Sequence, residues 1–278
     1  MAEKQLLPVV TGPTASGKTA CAVYLARKMG GEIISADSMQ VYKHMDIGSA
    51  KIMPQEMDGV RHYLVDELEP FEEFHVVRFQ EMARAAMKEI RSRGHIPILV
   101  GGTGFYIQAL VRDIDFTENE ENTAYRKELE QLAEEKGAEY LHEMLQQVDA
   151  EAAEKIHANN IKRTIRALEF FELTGKKISE HNTEEGEKKS AYQSCYFVLN
   201  DDREKLYARI EQRIDEMLAE GLVEEVRALQ KMGCTRNLVS MQGLGYKEIL
   251  AYLDGETDLE TAVEILKRDT RHFAKRQL

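Results

Sequence analysis

The hydrophobic positions in the first hundred residues alternate between short apolar runs and helical periodicity. Apolar runs at 6–11, 32–36 and 96–100 predict buried strands, because each is short and ends in turn residues. Helical spacing at 18–29 and 75–93 separates these runs. This alternation predicts an α/β fold, in which helices flank a parallel sheet.

The pattern changes after residue 116. Residues 123–182 show helical periodicity with almost no strand signal, and the run 194–200 predicts a strand again. We therefore expect an α/β core domain, 1–116 and 191–278, that carries a mostly helical insertion domain, 117–190.

The end of the insertion and the rest of the chain are also patterned. Polar residues 186–190 predict a loop that closes the insertion. Helices are predicted at 203–232, with a break at Gly221, and at 246–253 and 258–276.

Composition indicates a cytoplasmic protein. The 278 residues are 43% hydrophobic, enough for a packed core, and no apolar run reaches the ~18 residues of a membrane helix. The N-terminus lacks the apolar stretch of a signal peptide. Cys21, Cys195 and Cys234 are far apart, so we expect reduced, buried cysteines with no disulfide framework or zinc site.

The formal charge of −12 argues against a nucleic-acid partner, but binding depends on where the charges lie rather than on their sum. Residues 117–155 hold twelve acids and four bases, which is typical of a solvated helix face and would repel RNA on that side. Residues 156–177 and 262–278 each hold five bases and two acids, so basic patches remain.

The segment with the most chemistry is Gly12-Pro13-Thr14-Ala15-Ser16-Gly17-Lys18-Thr19, which matches the P-loop pattern G-x-x-x-x-G-K-[ST]. Backbone N–H groups and the following helix N-terminus suit a phosphate anion. Lys18 can reach the terminal phosphates, and Thr19 can ligate Mg²⁺. A strand before and a helix after the motif give it the required context, so we predict diphosphate or triphosphate binding.

Asp37 is the first acid at a predicted strand end after the P-loop. An ordinary P-loop NTPase has an acid after a second strand, whereas the run 96–100 leads into glycines. Asp37 lies where α/β sites form, and it could act as a base or reach a metal through water. The alternative is a helix cap or turn residue.

Several longer motifs resemble the family of bacterial tRNA dimethylallyltransferases, the IPP transferase family. They span nearly the whole chain in the expected order, and they are GPTASGKT, ADSMQVYKHMDIGSAK, HYLVDELEP, ILVGGTGFYIQAL, NNIKRTIRALEFFELTGK, DREKLYARIEQRIDEMLAEGLVEEV and QGLGYKEI. The family's last helix usually continues with aromatic and basic residues beyond the stretch 274–278, where this sequence ends, so a truncation is left open.

The resemblance implies a P-loop-kinase-like fold and a prenyl transfer. The dimethylallyl group would pass from its diphosphate to the N6 amine of the adenine at position 37, next to the anticodon, in tRNAs that read codons beginning with U. The insertion would grip the anticodon arm, and Mg²⁺ would be the cofactor. We expect a monomer without membrane contact.

The resemblance also implies site residues. The P-loop, 12–19, would bind the diphosphate, with Thr19 on the metal. Asp37 would accept the N6 proton, and Arg209 and Arg213 would neutralise the leaving diphosphate. The implied tRNA-binding residues are Asp37, Ser38, Met39, Gln40, Thr103, Arg126, Lys162, Arg163, Thr164, Ile165, Arg166, Gln242, Gly243, Gly245, Tyr246 and Lys247.

Plainer interpretations stand beside these. Arg163 and Arg166 share a helix face that could simply be solvated. Arg209 and Arg213 could form surface ion pairs, with Glu216 or Glu220 as partners of Arg213. Alternative functions are a small-molecule or nucleotide kinase on the same scaffold, a prenyltransferase acting on free adenine nucleotides, and a noncatalytic RNA-binding module that uses nucleotide as a switch.

Overall fold

The computed structural model describes residues 4–116 and 124–277, and it divides into two compact units. The first unit comprises 1–113 together with 190–278, and the second comprises 114–189. The first part of the predicted acidic segment 117–155, residues 117–123, lies outside the described residues.

The first unit contains a parallel five-stranded sheet. Its strands are β1 (Leu6–Thr11), β2 (Gly31–Ser35), β3 (His62–Tyr63), β4 (Ile96–Gly101) and β5 (Gln193–Val198), in the order β3-β2-β4-β1-β5. Every pairing is parallel, and Val10 lies opposite both Val100 and Phe197. The carboxyl ends of all five strands therefore lie along one edge.

Twelve α-helices occur in the described residues. They are α1 (Lys18–Met29), α2 (Val76–Ser92), α3 (Gly104–Val111), α4 (Ala124–Lys136), α5 (Ala138–Val148), α6 (Ala150–Lys155), α7 (Ile161–Thr174), α8 (Ile178–Glu187), α9 (Arg203–Glu220), α10 (Leu222–Lys231), α11 (Tyr246–Leu253) and α12 (Leu259–Arg276). Helices α4–α8 belong to the second unit. None of the helices, as far as the structure describes them, is long and apolar enough to span a membrane.

The predicted fold class, an α/β parallel sheet flanked by helices, is confirmed. Four details differ. Helix α3 begins at Gly104, where the run of glycines hid it, and β3 has only two residues, too few for a pattern. Gly186 lies inside α8 rather than in a loop, and Cys195 is exposed because it lies on the outer strand β5.

Apolar residues predicted for the strands and α1 form part of the core of the first unit. Val10, Ile33 and Ile98 are buried against Ala22 and Ala26 of α1. Burial of these side chains is the main favourable free energy that holds the helix on the sheet.

The second unit has its own apolar core, which includes the fully buried Leu129, Leu141 and Leu145. A buried carboxylate fixes the helix ends. Asp149 accepts hydrogen bonds from the N–H of Ala152 (3.0 Å) and from the N–H and hydroxyl of Ser179 (2.9 and 2.7 Å). Burial would raise the pKa of Asp149, but the hydrogen bonds from Ser179 and Ala152 outweigh it and lower the pKa.

One carboxylate in the first unit organises a loop that reaches the candidate site. Glu225 of α10 accepts hydrogen bonds from three successive N–H groups, those of Asp46, Ile47 and Gly48 (2.9, 2.7 and 3.0 Å). It also accepts one from the buried Tyr246 hydroxyl (2.8 Å). A Cβ on Gly48 would lie 2.6 Å from the Tyr246 ring, so only glycine lets the loop lie this close.

Replacing Glu225 should therefore destabilise the first unit. We expect Glu225→Ala to lower the free energy of unfolding by about 1–3 kcal/mol, because it leaves three N–H groups and a buried hydroxyl without their acceptor. Urea unfolding followed by circular dichroism measures the change.

The matched control is Glu224→Ala, since Glu224 is an exposed neighbour that makes only a 3.5 Å contact with Arg227. Its free energy of unfolding should change by less than about 0.5 kcal/mol. Equal losses in the two variants would contradict the role given to Glu225.

Candidate active site

The P-loop adopts its shape because two of its positions are glycine. Gly12 has φ +144°, and a Cβ there would lie 2.1 Å from the Leu199 carbonyl oxygen. Gly17, with φ +84°, caps the N-terminus of α1. The loop thus joins β1 to α1 with the helix N-terminus facing the carboxyl edge of the sheet, a geometry that favours an anion.

The polar side chains of the P-loop are poised for a ligand. Lys18 Nζ donates to the Pro13 carbonyl oxygen (2.7 Å). Burial lowers the pKa of Lys18 to about 8, while Asp37 nearby opposes this and Arg213 adds to it. The buried Ser16 hydroxyl finds no hydrogen-bond partner among the described residues. A phosphate group would supply partners for both side chains.

Asp37 follows β2 and forms a local turn. Its Oδ1 accepts hydrogen bonds from the N–H groups of Met39 (2.8 Å) and Gln40 (3.3 Å). Burial raises the pKa of the Asp37 carboxyl, and those two hydrogen bonds and the Lys18 charge only partly offset it. The turn interpretation and the base interpretation are thus compatible, because one oxygen shapes the turn while the other remains for a ligand.

Asp37 lies on two cavities. The smaller, of about 50 Å³, is shared with Lys18 and Thr19 of the P-loop. The larger, of about 450 Å³, is also lined by Thr14 and Thr103. Asp37 therefore lies between the phosphate-binding loop and a cavity large enough for an organic group.

The larger cavity has an apolar side that the sequence analysis did not assign. Side chains of α9 and α12 line it, among them Ile210, Ile214, Met217, Leu266 and Phe273. The signal was present as helical spacing, but that spacing shows only that one helix face is buried, not what lies against it.

The segment 242–247, which leads into α11, contributes to the same cavity. Gln242, Gly243, Gly245 and Lys247 line it, and a Cβ on Gly243 would lie 2.4 Å from the terminal methyl group of Met39. Ser38 and Met39 line it as well. Tyr246 is instead fully buried, with its hydroxyl on Glu225, so its ring has a structural role.

The two arginines predicted to neutralise diphosphate are placed differently. Arg213 lines the larger cavity and lies close enough to Lys18 to lower the pKa of that amine. Arg209 instead donates to Asp201 (2.7 Å). The surface ion pair therefore describes Arg209. Of these two arginines it is Arg213 that lines the larger cavity, as Arg276 of α12 also does.

Helix α7 carries the predicted RNA-binding residues of the second unit. Lys162, Arg163 and Arg166 are exposed, and none of them forms an ion pair within the described ranges 4–116 and 124–277. Thr164 and Ile165 are buried on the opposite side of the helix.

Arg126 is engaged within the second unit. Its guanidinium makes two hydrogen bonds (3.1 and 2.6 Å) to the fully buried carboxylate of Glu169. A phosphate contact by Arg126 would therefore have to coexist with this ion pair.

No group of three or more His, Cys, Asp or Glu residues that could hold a metal ion occurs in the part of the chain that the structure describes. The groups that suit Mg²⁺ are the Thr19 hydroxyl and, nearby, Asp37, which both line the smaller cavity. Mg²⁺ commonly binds one or two protein oxygens together with phosphate oxygens and water. These residues fit such a site once a diphosphate is present.

The chain is similar over nearly its whole length to known tRNA dimethylallyltransferases. A tRNA dimethylallyltransferase of Lachnoclostridium phytofermentans is 64% identical over 99% of this chain and 88% of its own length. One of Acetivibrio thermocellus is 53% identical over 97% of this chain and 86% of its own length.

Solved structures give the same result. The tRNA isopentenylpyrophosphate transferase of Bacillus halodurans is 44% identical, with a TM-score of 0.73 over 99% of this chain and 86% of that one. A eukaryotic dimethylallyltransferase acting on tRNA is 32% identical, with a TM-score of 0.86 over 98% of this chain and 69% of that one. The family model described as IPP transferase matches residues 40–278. The chain therefore belongs to the IPP transferase family, whose members are enzymes.

Proposed function

We propose that this chain transfers a dimethylallyl group from dimethylallyl diphosphate to the N6 amine of the adenine next to the anticodon of tRNA. The observation that carries the proposal is the position of Asp37. It lies on the P-loop cavity and, at the same time, on a cavity with an apolar side. A diphosphate, an apolar group and a proton acceptor are the three requirements of a prenyl transfer to an amine.

Asp37 acts on the nucleophile. Its free oxygen accepts a hydrogen bond from the exocyclic amine while the nitrogen forms a bond to C1 of the dimethylallyl group. The proton of that amine then passes to the carboxylate. A raised pKa suits this role, because a carboxylate with a higher pKa is a stronger base.

The P-loop and Arg213 act on the leaving group. As the bond between C1 and the diphosphate oxygen breaks, negative charge grows on the diphosphate. The backbone N–H groups of the loop, Lys18 and Arg213 stabilise that charge in a site that burial has partly desolvated. Bound Mg²⁺, held by Thr19 and phosphate oxygens, would add positive charge there.

The acceptor base must leave the RNA stack to reach Asp37. Ser38, Met39 and Thr103 would surround it, since they line the cavity beside Asp37. The exposed cations of α7 supply charge for RNA phosphates. The proposal includes three further features. They are action on tRNAs that read codons beginning with U, a monomeric state and a cytoplasmic location.

The direct test incubates the purified protein with an unmodified tRNA transcript, dimethylallyl diphosphate and Mg²⁺. Mass spectrometry of the nucleosides should detect N6-dimethylallyladenosine in equal molar amount to the diphosphate released. A transcript with guanine in place of the target adenine is the control. ATP hydrolysis or ATP-dependent phosphorylation without the prenylated nucleoside would favour the kinase.

The pH dependence of kcat/KM for the donor should be bell-shaped. Activity should rise with pH as Asp37 loses its proton, with a midpoint above that of an ordinary aspartate. It should fall around pH 8, because Lys18, with a pKa of about 8, loses its charge. Steady-state rates across pH 4–10, at constant ionic strength, measure both limbs.

Two variants identify the groups that titrate in the acidic and alkaline limbs of this pH profile. Asp37→Asn should lower kcat by about 10²–10⁴-fold while donor binding persists. Lys18→Arg keeps its charge through this range, so its alkaline limb should disappear even if its rate is lower. An unchanged alkaline limb in Lys18→Arg would mean that another group titrates there.

The two arginines should differ in their effect on catalysis. Arg213→Ala should lower kcat by at least about 10-fold, because it removes a cation from the leaving group. Arg209→Ala is the matched control on the same helix. It loses only an exposed ion pair with Asp201 and should leave kcat within about two-fold. Single-turnover rates at saturating donor and tRNA distinguish the two, and equal losses would contradict the assignment.

The cations of α7 should set the salt dependence of tRNA binding. Replacing Lys162, Arg163 and Arg166 together by alanine should flatten the slope of log affinity against log salt by about 2, at about 0.7 for each lost contact. Lys155→Ala is the control, because Lys155 already pairs with Glu151 (2.6 Å). Filter binding at several salt concentrations measures the slope, and an unchanged slope in the triple variant would place the RNA elsewhere.

A further inference from the structure

The side chain of Gln277 reaches two loops of the candidate site from the end of α12. Its Oε1 accepts a hydrogen bond from the P-loop N–H of Thr14 (2.8 Å). Its Nε2 donates to the carbonyl oxygen of Gly102 (3.0 Å), in the turn between β4 and α3. One side-chain amide therefore joins the loop after β1 to the loop after β4.

The primary amide of Gln277 suits both contacts, because it carries an acceptor oxygen and a donor nitrogen side by side. The Thr14 N–H is a donor and needs an acceptor, whereas the Gly102 carbonyl is an acceptor and needs a donor. A carboxylate cannot donate, and an amine cannot accept. The pair of partners thus fixes the orientation of the amide, with its oxygen toward Thr14 and its nitrogen toward Gly102.

The glycine at 102 is explained by the same contact. A Cβ there would lie 2.2 Å from Gln277 Nε2. The backbone does not require glycine, because Gly102 is not among the residues with positive φ. The absence of a Cβ at position 102 therefore leaves room for the amide of Gln277.

The two loops that Gln277 joins carry opposite parts of the site. Thr14 belongs to the diphosphate loop, and Thr103, next to Gly102, lies beside Asp37 on the larger cavity. The Thr103 N–H also donates to the carbonyl oxygen of Ala36 (3.3 Å), the residue before Asp37. A change at Gln277 would therefore alter the spacing between the donor loop and the base.

We propose that Gln277 is a positioning residue, which clamps the P-loop to the turn before Thr103 and so holds the donor diphosphate in line with Asp37. This inference rests on the proposed prenyl transfer. Since the clamp acts through Thr14 and Gly102, it affects donor use and alignment, and it leaves the affinity for tRNA to other residues.

The test is a double-mutant cycle between positions 277 and 102. Gln277→Met keeps the length of the side chain without its hydrogen bonds, and Gly102→Ala adds the Cβ that displaces the amide. Each should lower kcat/KM for dimethylallyl diphosphate by about 10-fold, which corresponds to two neutral hydrogen bonds. The double variant should be no worse than the poorer single variant, because both changes break one contact.

Two controls separate positioning from folding. Lys275→Met changes an exposed residue two positions away on α12 and should leave kcat/KM within two-fold. The Kd for tRNA of Gln277→Met should match that of the original chain and its circular dichroism spectrum should show an intact fold, while the inhibition constant of pyrophosphate rises. Fully additive losses in the cycle, or unchanged donor kinetics in Gln277→Met, would overturn the proposal.

Failure of the proposed function would look different. If the original chain formed no prenylated nucleoside, the same cycle would be measured on pyrophosphate binding by calorimetry. Coupling between positions 277 and 102 in the Kd would support the clamp even then. Independent effects on the Kd would reject it.

Discussion

The candidate site depends on close contacts between backbone segments at the carboxyl edge of the sheet, which only glycine allows. A Cβ on Gly101 would lie 2.1 Å from the Ala36 carbonyl oxygen, and one on Gly12 would lie equally close to that of Leu199. Glycines at these two positions let the ends of neighbouring strands meet without side chains between them. Since Asp37 follows directly after one of these contacts and the P-loop after the other, Asp37 and the P-loop share one site. Larger residues at positions 12 and 101 would move Asp37 away from the P-loop.

Burial at this edge acts on Asp37 and Lys18 in opposite directions. It raises the pKa of the carboxyl and lowers that of the amine, and the attraction between the two charges limits both effects. An incoming diphosphate changes this balance, because its negative charge favours protonated Lys18. The same charge disfavours ionised Asp37 and therefore strengthens it as a base. Donor binding would thus raise the pKa of both groups, which favours protonated Lys18 and makes the Asp37 carboxylate more basic.

The parts of the molecule that sequence predicts well are those that local spacing encodes. Four of the five strands, the P-loop and the position of Asp37 follow from short patterns whose meaning does not depend on distant residues. Partners across the chain could not be predicted in this way. The apolar side of the cavity, including Phe273, requires knowing what α12 packs against, and the role of Gln277 requires knowing which loops its amide reaches. Arg209 and Arg213 show the same limit of sequence-based prediction. They lie four residues apart on one helix, yet Arg209 pairs with Asp201 and Arg213 lines the cavity.

The position of the second unit in the chain follows from a constraint on the first. The chain leaves the first unit after Asp113 and returns at Ser190, and these two points are adjacent. The N–H of Ala191 donates to the carbonyl oxygen of Val111 (3.0 Å), so the return strand starts beside the end of α3. Because the two points are close together, an insertion of any length can join them without moving the strands of the sheet apart. The described residues that line the donor cavities lie on both sides of this insertion and belong to the first unit alone. Both cavities at Asp37 are therefore built by one unit, whereas the exposed cations of α7 belong to the other.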